Sequence, residues 1–134
     1  MPGYSGTPLP KKLGIKDGVH VRMIDAPADV LAELKLALAQ CEITQTLKTP
    51  VDFAMVFSKT ASGLTKDFKA LTRRLSAAGM IWVSWPKKTS GVPTDLNENV
   101  VREIGLAAGL VDVKVCAVTE IWSGLKFVRR LKDR

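Results

Sequence analysis

"VDVKVCAVTEIWSGLKFVRR", residues 111–130, decides the fold. Apolar residues alternate with others through Val111–Thr119, which is the period of a strand with two unlike faces, and the pattern resumes in Leu125–Arg130. Between them Glu120-Ile121-Trp122-Ser123-Gly124 is too short for a crossover and ends on a glycine free to take a positive φ. The two strands therefore form a hairpin, and the last one runs antiparallel to its neighbour.

Reading backwards from the hairpin, helices and strands alternate. Val100, Val101, Ile104 and Ala108 face inward at helical spacing, Asp95 followed by Glu98 fits a capping pattern, and Gly109 closes the helix. MIWVSW, residues 80–85, is a buried strand. Leu64, Phe68, Leu71 and Leu75 line one face of an earlier helix, which Gly79 is expected to end as a left-handed cap. VDFAMVF, residues 51–57, is a nearly continuous apolar run, as in a parallel strand covered on both faces. CEITQTL, residues 41–47, reads as a short edge strand, and Val30, Leu31, Leu34 and Leu38 mark a helix running from Pro27 to near Gln40. Val19, Val21, Met23 and Ile24 form the first strand.

This order predicts a three-layer, Rossmann-like α/β fold: a mostly parallel sheet with helices on both faces, joined by right-handed crossovers. At 134 residues the chain makes one α/β domain, residues 1–134, with a core that needs neither metal nor disulfide. Residues 1–16 carry Pro2, Gly3, Gly6, Pro8, Pro10 and Gly14, so they read as a basic N-terminal arm, extended or turning, rather than helix or strand.

Twenty basic residues against thirteen acidic ones give a net charge of +7. Such an excess favours anionic partners, a small phosphorylated ligand or nucleic acid, without choosing between them. Two distant cysteines and a single histidine speak against a zinc site or a secreted disulfide framework. The sequence also has no signal-peptide h-region and no long uninterrupted apolar run. The expectation is a reduced, cytoplasmic protein with no membrane segment and no cofactor, monomeric or dimerising through its weak edge strand.

GLTKDFKALTRRLSAAGMIWVSW followed by NVVREIGLAAGLVDVKVCAVTEIWSGLKFVRR resembles the carboxy-terminal part of Rossmann-like methyltransferases. The resemblance implies six strands in the order 2-1-3-4-6-5, with the antiparallel sixth between the fourth and fifth. It does not carry the methyl donor over. A glycine-rich turn should follow strand one, and a carboxylate strand two. Here the turn reads Ile24-Asp25-Ala26-Pro27-Ala28-Asp29, and Lys48-Thr49-Pro50 stands where the acid would be. YSGTPLPKKLGIKDG, WVSWPKK, TDLNENVVREIGLAAGLVDVKVCAV and WSGLKFVRR are similar, over nearly the whole chain, to a family of short bacterial proteins catalogued as a domain of unknown function, number three thousand and fifty-two. That resemblance implies no activity and brings no catalytic residue with it.

In an open parallel sheet, ligands bind beyond the carboxyl ends of the strands. There the sequence places Asp25, Ser58, Lys59, Lys87, Lys88, Thr89 and Ser90, with Tyr4, Ser5, Thr7, Lys11 and Lys12 available if the arm folds over that edge. Lysines, hydroxyls and helix N-termini together suit a phosphate or carboxylate. Alternatively, Leu9, Leu13 and Ile15 pack the arm against the core. Lys66, Lys69, Arg73 and Arg74 form a cationic helix face that, with Arg129 and Arg130, would serve nucleic acid in a competing reading. Catalytic constellations are thin: His20 lies in a strand pattern, Cys116 has no neighbour to activate it, and Asp29 supports a helix start. The sequence points to a non-catalytic small-anion-binding or regulatory protein, with a transferase relic acting beside a partner as the enzymatic alternative.

Overall fold

The computed structural model describes residues 6–45 and 49–134. Six strands, β1 His20–Ile24, β2 Glu42–Ile43, β3 Val51–Phe57, β4 Leu75–Pro86, β5 Leu110–Ala117 and β6 Trp122–Arg129, form one sheet in the order β2-β1-β3-β4-β6-β5. β1 runs parallel to β2 and β3, and β3 parallel to β4, while β6 pairs antiparallel with both β4 and β5. The expected order and the expected antiparallel strand are both present. The hairpin explains them, because the link, residues 118–121 rather than the expected 120–124, leaves β6 nowhere to lie except beside β5; Gly124 lies inside β6, paired with Ser84 and Cys116, and takes no positive φ.

The helices are α1 Leu9–Leu13, α2 Ala28–Leu38, α3 Ala61–Arg74 and α4 Glu98–Ala107. β3 shows why its apolar run is nearly unbroken. Ala54 and Val56 join Leu64, Phe68, Leu71 and Val101 beneath α3 and α4, while Phe53, Met55 and Phe57 join Val30, Leu34, Leu9 and Leu13 beneath α2 and α1. Both faces of the strand are buried, and the helix stripes supply the cover.

Five local expectations are corrected. The arm contains a helix, α1, because Pro8 and Pro10 stand at its start, where no amide donor is missed, and Gly14 takes the left-handed C-cap at φ 82°. Leu9 and Leu13 are buried, and the Trp82 indole N–H donates to the Leu13 carbonyl at 2.8 Å, so the arm packs on the sheet face. Tyr4 and Ser5, also expected to reach the carboxyl edge, lie outside the described residues.

Asp95 does not cap α4. Asn97 does, its Oδ1 accepting from Val100 N–H at 2.9 Å. Gly79 is not a left-handed cap either, since α3 ends at Arg74 and Leu75 is already extended. Arg129 satisfies that helix end instead, its Nη2 donating to the carbonyls of Thr72 and Leu75, both at 2.7 Å. Glycine is needed at 79 because a Cβ there would stand 2.9 Å from the Val51 carbonyl oxygen.

The strict alternation expected in β5 breaks at a bulge between Asp112 and Lys114, which leaves Val113 and Val115 exposed on an edge strand. β2 is shorter than the strand expected over 41–47, and Thr46 and Leu47 fall outside the described residues.

Candidate functional site

Two cavities at the carboxyl edge hold the loop lysines expected there. The first, of about 420 Å³, forms where β1 and β3 end, and is lined by Asp25, Ser58, Lys59 and Asp67 with Phe57 and Trp122 as an aromatic wall. The two rings meet edge to face, 5.1 Å between centroids. Asp25 takes φ 56°, alone among described residues other than glycine in having a positive value. Aspartate tolerates this conformation better than most residues, at some cost in strain. Asp67, on α3, has its carboxyl held above the usual aspartate range by burial and by the nearby charge of Asp25, against the pull of Lys66 and Arg22. Lys59 therefore shares its cavity with two carboxylates, and the space is mixed in charge.

The α3 N-terminus beside this cavity is already capped by the chain. Thr60 Oγ1 accepts from Gly63 N–H at 3.2 Å, and Asp95 Oδ1 accepts from Ala61 N–H at 2.7 Å. The Thr94 hydroxyl donates to the Lys59 carbonyl at 2.6 Å, and the Ser58 hydroxyl to the Thr60 carbonyl at 3.1 Å. Two of the helix's free amide donors are thereby engaged, so little is left there for an outside anion.

The second cavity, of about 620 Å³, lies between the loop after β4, the start of β6 and the N-terminus of α4; Lys87, Lys88, Gly91, Asn97, Glu98 and Ser123 line it over Trp85. Its loop is fixed by the Ser90 hydroxyl, which donates to the Lys87 carbonyl at 2.6 Å and accepts from Val92 N–H at 3.2 Å. Lys87 N–H donates to the Ile121 carbonyl at 2.7 Å, and Gly91 turns at φ 75°. Ser90 is thus a loop-building residue, and Thr89, exposed, does not line the cavity.

The lysines expected to converge are divided: Lys59 belongs to the first cavity, and Lys87 and Lys88 to the second, with no lining residue in common. Lys11 and Lys12 line neither. Lys12 Nζ donates to the Ala117 carbonyl at the end of β5, at 3.0 Å, while Lys11 is exposed on α1. Lys66, Lys69, Arg73 and Arg74 are all exposed on α3, as expected. The two arginines assigned to extend that surface are engaged otherwise: Arg129 at the α3 C-terminus, and Arg130 with Asp133 at 3.2 Å.

Asp67, Asn97 and Trp122 are lining residues that sequence reasoning missed. Asp67 had a usable signal, lying four residues from Gly63 and so on the same face of α3. Elsewhere, burial pushes the Cys116 thiol up against the pull of Lys12 and Lys114, in keeping with an unreactive cysteine.

The model of a family described as "Protein of unknown function (DUF3052)" matches residues 10–131. The chain belongs to the DUF3052 family. No curated protein matches its sequence. Among solved structures, the DUF3052 chain is similar to magnesium protoporphyrin IX methyltransferase from Synechocystis with bound SAM, at TM-score 0.60 and 11% identity, over 91% of this chain and 74% of that one. A SAM-dependent methyltransferase from Aquifex aeolicus gives 0.61 and 18% identity over 87% and 85%, and a putative type 11 methyltransferase from Sulfolobus solfataricus 0.58 and 18% over 91% and 89%. At these identities the likeness shows a methyltransferase-like fold.

The residues at the ends of β1 and β2 do not fit an adenosyl methyl donor. The cavity there, about 350 Å³, is lined by Arg22, Asp25, Leu31, Thr44 and Gln45 among others. The sequence Thr44–Pro50 holds no acid for a ribose diol, and the Arg22 guanidinium, whose Nε is buried without a partner, is a poor neighbour for a sulfonium. The DUF3052 chain keeps the scaffold with a different donor set.

Proposed function

We propose that the chain is a non-catalytic binding or regulatory protein that holds a small carboxylate or phosphate in the cavity after β4, between Lys87, Lys88 and the N-terminus of α4. The observation that carries this reading is the second cavity itself: two lysines and the N-terminus of α4, with one amide capped by Asn97, open onto one space of about 620 Å³ whose single carboxylate, Glu98, is paired with Arg102 at 2.7 Å. Ammonium groups and a helix dipole of the same sign act together on an anion, and the adjoining Trp85 gives the ligand's apolar part a surface. The Ser90 and Gly91 contacts hold the loop in place before a ligand arrives, which lowers the ordering cost of binding. Lys59, facing Asp25 and Asp67, has no part in this site.

Thermal denaturation against inorganic phosphate, pyrophosphate and citrate tests the reading. Saturation at about a hundredfold over Kd stabilises a single native site by about 2.7 kcal/mol. The shift should vanish in Lys87→Glu/Lys88→Glu and persist in Lys59→Glu. An equal shift in the double variant, or none with any of the three anions, overturns the assignment.

A further inference from the structure

Away from the carboxyl edge, a groove of about 440 Å³ runs between α3 and α4, with Phe68, Ile104, Ala107 and Ala108 as its floor and Lys69 and Arg73 on its rim. Lys66 and Arg74 extend the charge along the same exposed side of α3, and none of the four cations belongs to an ion pair among the described residues. From Lys66 to Arg73 is seven residues, about two helical turns or roughly 10 Å of positive surface beside an apolar trough.

We propose that this groove docks an acidic amphipathic helix of a partner protein. A nucleic-acid backbone would use the cations but has nothing to bury on Ile104 and Ala107, and a lone carboxylate would leave half of the charge unmet. A helix with apolar residues at i and i+4 and carboxylates along its flank meets both features, and the small side chains of Ala107 and Ala108 let its backbone come close. Engagement of Arg129 and Arg130 within the fold leaves the cations beside the groove on α3 alone, which suits one short helix better than a long polyanion. The groove shares no lining residue with the anion cavity, so the two proposals stand or fall separately.

The test is fluorescence anisotropy of the full chain with a labelled synthetic peptide of about 18 residues, five helical turns, with leucines at helical spacing and glutamates on the flanks. A peptide of the same composition in scrambled order and a short DNA duplex are run beside it. Saturable binding on the order of 10 μM is expected, weakened about tenfold in Lys69→Glu/Arg73→Glu and about tenfold in Ala107→Glu, which leaves every charge on α3 in place. Both variants alter surface residues, and a thermal melt matching the parent chain's shows that each is folded. Binding of the scrambled peptide as tight as that of the helical one, or binding unaffected by Ala107→Glu, reduces the surface to unspecific charge and overturns the proposal. Preference for the duplex assigns it to nucleic acid instead, and failure to saturate by about 1 mM removes it.

Discussion

Asp25 bears directly on what the first turn of the sheet is for. At φ 56° it stands in a conformation that costs a side chain on the order of 1 kcal/mol, which a glycine would avoid. Its carboxylate lies in the cavity with Lys59 and Asp67, so the strain is tolerated where the fold positions charge. Asp25→Gly should change the free energy of unfolding by less than about 1 kcal/mol, because relief of strain is offset by a looser unfolded chain. Asp25→Val should lower it by about 1–2 kcal/mol, since a β-branched residue fits this region badly. Urea denaturation of both variants checks this, and a valine variant as stable as the parent would mean the turn relaxes out of the left-handed region. From sequence, Asp25-Ala26-Pro27 is legible as the loss of a glycine-rich turn, but aspartate is merely tolerated at positive φ and so does not announce it. Asp95 shows a related limit: it is a cap, as its type suggests, but it caps α3, thirty-four residues back, and local spacing cannot encode that partner.

Among elements, the sheet and three of the helices were legible because each rests on a period that burial enforces. The short α1 was not, because Pro8, Pro10 and Gly14 read as breakers while serving as the start and stop of a helix. Its anchor, the bond from Trp82 to Leu13, spans sixty-nine residues. α4 carries another tertiary constraint hidden in a helical residue. Gly105 is buried in the middle of α4, where alanine is ordinarily better by about 1 kcal/mol. A methyl at Gly105 would overlap the Phe127 ring, which is fully buried and meets Phe68 edge to face with centroids 5.2 Å apart. Overpacking of this kind costs about 1–3 kcal/mol, so the packing term should win. Gly105→Ala is expected to lower the urea midpoint with an unchanged slope; a raised midpoint would show that α4 can slide off β6 at little cost.

For the whole molecule, the two edges of the sheet treat carboxylates in opposite ways. At the amino edge, Asp52 ties three strands together: it accepts from His20 N–H at 2.9 Å and from the Ser76 hydroxyl at 2.8 Å, with His20 Nδ1 at 3.6 Å. Burial alone would raise its pKa, but these donors and the imidazole outweigh burial and hold the carboxyl below the usual aspartate range. The stability it contributes is therefore present above the unfolded value, near 3.9, and is lost as pH falls through the lower folded value. At the carboxyl edge, burial and the charge of Asp25 hold Asp67 above that range, so its ionisation weakens the fold at neutral pH and the penalty disappears on acidification. Asp52→Asn should thus lower stability at pH 7, and Asp67→Asn should raise it, with both differences shrinking towards pH 3, a range about one unit below the ordinary aspartate value. Urea denaturation of the parent and both variants at the two pH values reads this directly. If Asp67→Asn destabilised at pH 7 as Asp52→Asn does, Asp67 would be a structural carboxylate. If the signs are opposite, the amino edge is built for stability, while the carboxyl edge holds a charge the fold would be more stable without.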